Sequence, residues 1–156
     1  MRYAHDTGGI ATPIGVVHVI ADGPVLTRIE IGGPAGRPGS TLIEAALEQV
    51  AAWFAGERTT FDLPLHPPAS PRGLALRAAI CAVGFGDTAT YGMLARDHGS
   101  SARAIGQACA RNPFPLVVPC HRVLGAGDAL GNYSAGGGAE TKRWLLDFER
   151  GTPRLL

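Results

Sequence analysis

The sequence predicts a fold of the α/β class, in the α+β arrangement. We expect a small N-terminal domain with a β-hairpin or sheet and a helix, followed by a C-terminal helical domain with a helix-turn-helix and a short active-site strand. Three observations support this: alternating β-branched residues near the N-terminus, helical periodicity further along, and a run rich in proline and small residues between the two parts. The predicted domains are residues 1–68 and 69–156.

The first domain is predicted from a strand pattern and a helix pattern. In PIGVVHVIADGPVLTRIEIG, β-branched residues alternate on both sides of ADGP, which indicates a hairpin. The segment STLIEAALEQVAAWFAGE then predicts an amphipathic helix with Ser40 as N-cap and its end at Gly56. The apolar residues at helical spacing are Leu42, Ala45, Ala46, Leu47, Val50 and Phe54. The segment HPPASPRG follows and is the predicted linker.

The second domain begins with three predicted helices. GLALRAAICAVG predicts the first, which ends at a turn from Gly84 to Gly86. TYGMLARDH, with Thr90 as N-cap, and SARAIGQACARN predict two more around a turn at Gly99. Two short helices around a tight turn are typical of a helix-turn-helix, although purely structural helix pairs share this pattern. The apolar face of the first helix is predicted to contain Leu74, Ile80, Cys81 and Val83.

The rest of the chain predicts a strand, a loop and a helix. The apolar run LVVP indicates a short buried strand, and GAGDALGNYSAGGG is a glycine-rich loop. That loop lacks the GxxxxGK[ST] pattern of phosphate-binding loops, so no nucleotide cofactor is expected. A closing helix is predicted from Thr141 to Arg150, with Trp144, Leu145 and Phe148 buried.

Composition limits the class of protein. The 156 residues are 46% hydrophobic and 17% charged, which is typical of a globular chain. No run approaches the ~18 apolar residues of a membrane-spanning helix, and the first residues lack a signal-peptide pattern. The three cysteines have no CxxC spacing and the five histidines are scattered, so neither disulfides nor a metal site is predicted. We expect a cytoplasmic monomer with no membrane contact.

The charge distribution is uneven, although the net charge is only +1. Residues 1–71 contain four arginines and seven acidic residues, whereas residues 72–122 contain six arginines and two acidic residues. A basic segment that coincides with a helix-turn-helix favours binding to nucleic acid. Chance segregation in a short chain would give the same count, so the charges leave both interpretations open.

The tetrapeptide Pro119-Cys120-His121-Arg122 is the candidate reactive site. A thiol becomes a competent nucleophile near neutral pH when a base or a positive field stabilises its thiolate, and His121 and Arg122 could supply both. The dipeptide alone is not sufficient, because a buried structural cysteine beside a surface histidine has the same sequence.

The longer block NPFPLVVPCHRV resembles the O6-alkylguanine-DNA alkyltransferase family, whose active-site motif is PCHR followed by an aliphatic residue. SARAIGQACAR before it and GNYS and KRWLLDFE after it extend the resemblance over the C-terminal half, and TPIG and WFAGERTTFDLPL extend it more loosely to the N-terminal half. The resemblance implies a DNA-repair methyltransferase that moves an alkyl group from O6-alkylguanine in double-stranded DNA to its own cysteine, once per molecule. Whether O4-alkylthymine is also a substrate stays open.

The same resemblance implies the catalytic residues. Cys120 would be the alkyl acceptor, His121 a base acting through water, and Glu149 the carboxylate that orients the imidazole. Asn112 would hold the turn between the recognition helix and the active-site strand. Tyr91 would donate a proton to a ring nitrogen of the leaving guanine.

A further set of residues is implied to contact DNA or the damaged base. Arg103 would fill the position of the extruded base, and the small residues Ala102, Ala104 and Gly106 would let their helix approach the minor groove with little sequence preference. Without the resemblance, these small residues would indicate helix packing and Arg103 a solvated charge. The main-chain oxygens of Cys120 and Val123 would read the exocyclic amine. Ser134 would contact O6, and Arg111, Arg122 and Tyr133 complete the expected set.

Two segments depart from the family pattern, and two other functions compete with it. Val83-Gly84-Phe85-Gly86 stands where the family has Ile-Pro-x-Gly, and the loop SAGGGAETK is longer than the usual pattern. An alkyltransferase-like lesion sensor would bind alkylguanine without repair, but such proteins lack the acceptor cysteine. A Cys-His hydrolase would leave the basic helix-turn-helix unexplained.

Overall fold

The first part of the chain forms a three-stranded antiparallel sheet in the order β1-β2-β3. The computed structural model describes residues 6–151, which divide into two units, one up to His66 and one from Pro67 onward. The strands are β1 (Asp6–Thr12), β2 (Gly15–Asp22) and β3 (Val25–Ile31). The predicted hairpin is confirmed as β2 and β3, and Gly23 in its turn has φ +61°, which glycine adopts without strain.

Strand β1 was not predicted, and its glycines explain why. A side chain at Gly9 would collide with the carbonyl oxygen of Pro34, and Gly9 exchanges backbone hydrogen bonds with Gly36. This close backbone approach requires glycine, which has low β-propensity and interrupts the alternating pattern.

Helix α1 (Thr41–Phe54) packs against β1 and β2. The predicted cap is confirmed, because the Ser40 hydroxyl accepts a hydrogen bond from the Ile43 amide at 3.3 Å. The buried face differs from the predicted one at three positions: Leu42, Ala45 and Phe54 are partly exposed. Ile43 and Trp53, which were not predicted, are fully buried. Together with Val17, Val19 and Leu26, this face forms the core of the first unit.

Within residues 67–151, the second unit contains four α-helices: α2 (Pro71–Cys81), α3 (Tyr91–Asp97), α4 (Ala102–Ala110) and α5 (Ala139–Arg150). The predicted pair of short helices around a tight turn is confirmed, since α3 and α4 pack together across a turn in which Gly99 has φ +63°. Thr90 caps α3 and Ser101 caps α4, each through a hydrogen bond from the amide three residues later. None of the helices within residues 6–151 has both the length and the apolar character to cross a membrane.

Two predicted apolar faces were partly wrong. Leu74 and Cys81 on α2 are exposed. The buried residues are Ala79 and Ile80 on the helix and Val83 just after it, because only one narrow face of α2 meets the rest of the unit. On α5, Leu145 is buried as predicted, but Trp144 and Phe148 are partly exposed and stack on each other with ring centroids 5.2 Å apart.

The predicted strand at LVVP was also wrong. Residues 115–119 form consecutive turns, in which the Val118 amide bonds to the Phe114 oxygen and the Cys120 amide to the Val118 oxygen. Pro115 and Pro119 have no N–H to donate to a strand ladder, so the run satisfies its backbone locally. The strands nearby are two residues long: β4 (Ala89–Thr90) pairs in parallel with β5 (Val123–Leu124).

Candidate active site

Cys120 begins a single 3-10 turn, Cys120–Arg122, that leads directly into β5. Its side chain is almost fully buried, with 4% of the residue exposed. The side-chain amide of Asn112 donates a hydrogen bond to its sulfur at 3.4 Å. The thiol is therefore held by the turn rather than displayed on a flexible segment.

Asn112 lies just after α4 and connects that helix to the segment before the nucleophile. Its Nδ2 also donates to the Val118 oxygen at 2.9 Å, and its Oδ1 accepts from the Phe114 amide at 2.9 Å. Three hydrogen bonds from one side chain thus fix the turn that carries Cys120, at the place where the sequence predicted such a role.

His121, Arg122 and Glu149 form a buried cluster behind the thiol. His121 Nε2 lies 2.7 Å from Glu149 Oε2, and both side chains are essentially inaccessible. The Arg122 guanidinium binds both carboxylate oxygens of Glu149 at 2.8 Å and donates to the Val83 oxygen at 2.8 Å. The Gly86 amide donates to Glu149 Oε1 at 3.1 Å. The segment that departs from the family pattern, residues 83–86, is thereby tied to the cluster.

The electrostatics of this cluster determine which nitrogen of His121 can act as a base. Desolvation opposes ionisation of Glu149, but hydrogen bonds from His121 and Arg122 lower its pKa to about 2. An ionised carboxylate only accepts, so Nε2 of His121 carries the hydrogen and Nδ1 has the lone pair. Desolvation lowers the pKa of His121 and keeps the ring neutral, and Nδ1 is buried with no hydrogen-bond partner among the described residues.

A second thiol, Cys109 on α4, lies next to that of Cys120. The interaction with Cys109 and desolvation both raise the pKa of Cys120 well above its usual value, whereas the Asn112 amide lowers it. The interaction with Cys120 lowers the pKa of Cys109. In this arrangement Cys120 keeps its proton, and a base is needed to remove it.

Cys120 faces a cavity of about 490 Å³. Besides Cys120, six of the predicted site residues line it: Tyr91, Ala102, Arg103, Gly106, Tyr133 and Ser134. Desolvation raises the pKa of Tyr91, so its phenol stays protonated and can donate. Burial also raises the pKa of Tyr133, whose hydroxyl has no hydrogen-bond partner in the described part of the chain.

Four of the residues expected to contact DNA or the base lie elsewhere or are already engaged. Arg122 is buried against Glu149, which corrects its expected place among the DNA contacts. Ala104 and Arg111 line a different cavity of about 500 Å³. The Val123 oxygen accepts a hydrogen bond from Lys142 Nζ at 2.7 Å.

Lys142 and Cys109 are the site residues that sequence reasoning missed. Lys142 is fully buried and also donates to the Asn132 oxygen at 3.3 Å, so it links β5 to the glycine-rich loop. A lysine in the first turn of an amphipathic helix is normally solvated, which hides this role. Cys109 follows Ala102 and Gly106 at helical spacing and could have been placed on the same face.

Two family models match this chain, one in each of the two units of the fold. Residues 7–67 match the ribonuclease-like domain of 6-O-methylguanine DNA methyltransferase, and residues 74–151 match the DNA-binding domain of the same family.

Within residues 6–151, no three His, Cys, Asp or Glu side chains are close enough to hold a metal ion.

Individual relatives align over nearly the whole chain. A methylated-DNA--protein-cysteine methyltransferase of Mycolicibacterium paratuberculosis is 37% identical, with 90% of each chain covered. A DNA base-flipping protein of Thermus thermophilus is 40% identical, with 90% of this chain and 97% of that protein covered. The crystal structure of Mycobacterium tuberculosis OGT in complex with DNA superposes with a TM-score of 0.82 at 34% identity, covering 94% of this chain and 93% of that one. The chain belongs to the 6-O-methylguanine DNA methyltransferase family.

Proposed function

We propose that this protein repairs DNA by transferring a methyl or larger alkyl group from O6 of guanine to the sulfur of Cys120. The observation that carries the proposal is the burial of one thiol between a hydrogen-bond donor, Asn112, and a cavity of about 490 Å³. Behind it, His121 and Glu149 form a buried acid-base pair. The protein needs no cofactor for this reaction, because the thiol is both nucleophile and final acceptor.

Activation of the thiol is the first step. Cys120 loses its proton through a water molecule to Nδ1 of His121, the nitrogen that carries the lone pair. Glu149 holds the opposite nitrogen and stabilises the imidazolium that forms. The Asn112 amide then donates to the thiolate sulfur, whose charge it stabilises.

Transfer breaks one bond and forms another. The thiolate attacks the alkyl carbon, the carbon–O6 bond breaks, and the electron pair stays on the guanine. Tyr91 donates its proton to a ring nitrogen of that guanine, and Ser134 contacts O6. The product on the protein is a thioether, which is a poor leaving group, so each molecule reacts once.

DNA binding is assigned to the helix-turn-helix formed by α3 and α4. Ala102, Gly106 and the exposed Arg103 lie on the rim of the acceptor cavity, where small side chains permit close approach to a minor groove. An alkylated base rotated out of the duplex can then enter the cavity while Arg103 occupies its place in the stack. Such binding has little sequence preference, and the protein acts as a monomer.

The stoichiometry of transfer tests the proposal. When reduced protein is mixed with excess O6-methylguanine duplex, one methyl group per protein molecule should appear on Cys120. A second addition of duplex should add no further methyl group to the protein. Intact-mass measurement and peptide mapping give both numbers. A separate incubation with a duplex that contains O4-methylthymine tests whether alkylthymine is also a substrate. Continued turnover, or methylation of another residue, would contradict the mechanism.

A lesion sensor is the second candidate function, because the Thermus thermophilus relative is named a base-flipping protein. Such a protein would bind the alkylated duplex and leave its alkyl group in place. Tight binding of the O6-methylguanine duplex with no mass change on Cys120 is the result that would favour it.

Arg103→Ala should slow transfer from duplex DNA by about 10- to 100-fold at saturating DNA, because extrusion of a base costs a few kcal/mol. Reaction with free O6-benzylguanine should change little, since a free base needs no extrusion. Arg111→Ala removes an exposed arginine beyond the end of α4 and is the matched control, with weaker binding but an unchanged saturated rate. Single-turnover rates are measured on both substrates, and equal losses of rate on duplex and free base would show that Arg103 does not fill the place of the extruded base.

A further inference from the structure

Two cysteines share one cavity in this protein. Cys109 near the end of α4 and Cys120 in its 3-10 turn both line the acceptor cavity, and their side chains interact there. The third cysteine, Cys81, is exposed on α2 and does not line this cavity. The mechanism uses only Cys120, so the second thiol has no role in it.

A single residue fixes the two cysteines relative to each other. The backbone amide of Asn112 donates to the Cys109 oxygen at 3.2 Å, and its side chain donates to the Cys120 sulfur at 3.4 Å. The same side chain holds the Val118 oxygen and the Phe114 amide. One hydrogen-bonded turn therefore holds both cysteines at the same cavity, where a disulfide requires only that their sulfurs come within bonding distance.

We propose that Cys109 and Cys120 form a reversible disulfide, which makes this pair an oxidation site that switches the alkyl acceptor off. The regulatory part rests on the proposed function, since it takes Cys120 as the acceptor. A disulfide sulfur has no thiolate to attack an alkyl carbon, and an alkylated Cys120 has no thiol to oxidise. The two modifications of Cys120 therefore exclude each other.

Hydrogen peroxide is a sufficient oxidant and is small enough for the cavity. The Cys109 thiolate attacks one peroxide oxygen, the O–O bond breaks, and hydroxide leaves, giving a sulfenic acid. The Cys120 sulfur then attacks the Cys109 sulfur and displaces the hydroxyl group as water. Overall, two thiols lose two electrons and two protons, and one peroxide becomes two waters. The lowered pKa of Cys109 favours it as the first thiol to react.

The test uses the full-length reduced protein with a limiting dose of hydrogen peroxide. We expect a product that lacks two hydrogens, a cross-linked peptide containing Cys109 and Cys120, and loss of methyl transfer that dithiothreitol restores. Protein already methylated on Cys120 should lose no hydrogens. Cys81→Ser is the matched control and should behave as the parent.

Cys109→Ser separates a disulfide from simple oxidation of Cys120. Each preparation of the variant is compared with itself before and after peroxide, so any effect of the substitution on the resting rate cancels. We expect no species lacking two hydrogens and much less reversible loss of transfer. Absence of the Cys109–Cys120 peptide in the parent, a cross-link to Cys81, or equal reversible loss in the variant would overturn the proposal. The cross-link is read by mass alone, so it remains testable if the protein transfers no methyl group.

Discussion

Cys120→Ser should abolish methyl transfer and leave binding to methylated duplex unchanged. Loss of a catalytic nucleophile typically costs on the order of 10⁴- to 10⁶-fold in rate. A hydroxyl is far less acidic than a thiol, so the His121–Glu149 pair cannot ionise it appreciably. Binding should persist because Cys120 is nearly inaccessible and serine keeps its shape, while Arg103 and the α4 surface are unaltered.

Transfer by Cys120→Ser is measured by intact mass after prolonged incubation with O6-methylguanine duplex, and binding by fluorescence anisotropy of a labelled duplex. Cys81→Ser, which changes an exposed thiol, should retain full transfer. Because Cys109 lines the same cavity, peptide mapping of the serine variant is informative. A methyl group found on Cys109 would mean that the cavity, rather than Cys120 alone, determines the acceptor.

Local signals in the sequence predicted most elements of the fold. Hydroxyl caps and glycine turns located α1, α3 and α4, since both act within a few residues. Two of the failures have different causes, one a contact between residues far apart in the sequence and the other a pair of nearby prolines. Strand β1 needs glycines for its contact with Pro34. The run LVVP resembles a strand only if Pro115 before it and Pro119 at its end are ignored.

The chemistry of the site was predictable from the family resemblance of the block around PCHR, but its supporting contacts were not. Nothing in the spacing indicates that Arg122 turns inward to bind Glu149, 27 residues further along the chain. Lys142 looks like a solvated helix residue until its ammonium group is seen to bond the Val123 and Asn132 oxygens. Such contacts depend on tertiary packing, which periodicity and composition do not encode.

Glu149→Gln should damage both stability and transfer. The carboxylate accepts hydrogen bonds from His121, Arg122 and the Gly86 amide. In glutamine one of the two acceptor oxygens becomes an N–H donor, so it faces a donor whichever way the amide is turned. Breaking a buried ion pair by removal of one partner typically costs about 3–5 kcal/mol. Transfer should fall by at least about 100-fold, because His121 loses the partner that orients it and stabilises its protonated form.

The stability effect should depend on pH in a defined direction. The folded pKa of Glu149 is lowered from 4.5 to about 2, so its stabilisation is complete above pH 4.5 and is lost as the pH falls towards 2. All other carboxyl groups are common to both proteins, so they cancel in the difference between parent and variant. That difference, measured by urea unfolding followed by circular dichroism, should be large at neutral pH and clearly smaller near about pH 3. If the difference in unfolding free energy between parent and variant does not decrease on acidification, Glu149 is not held ionised in the folded protein. The assignment of the hydrogen to Nε2 of His121 would then also be wrong.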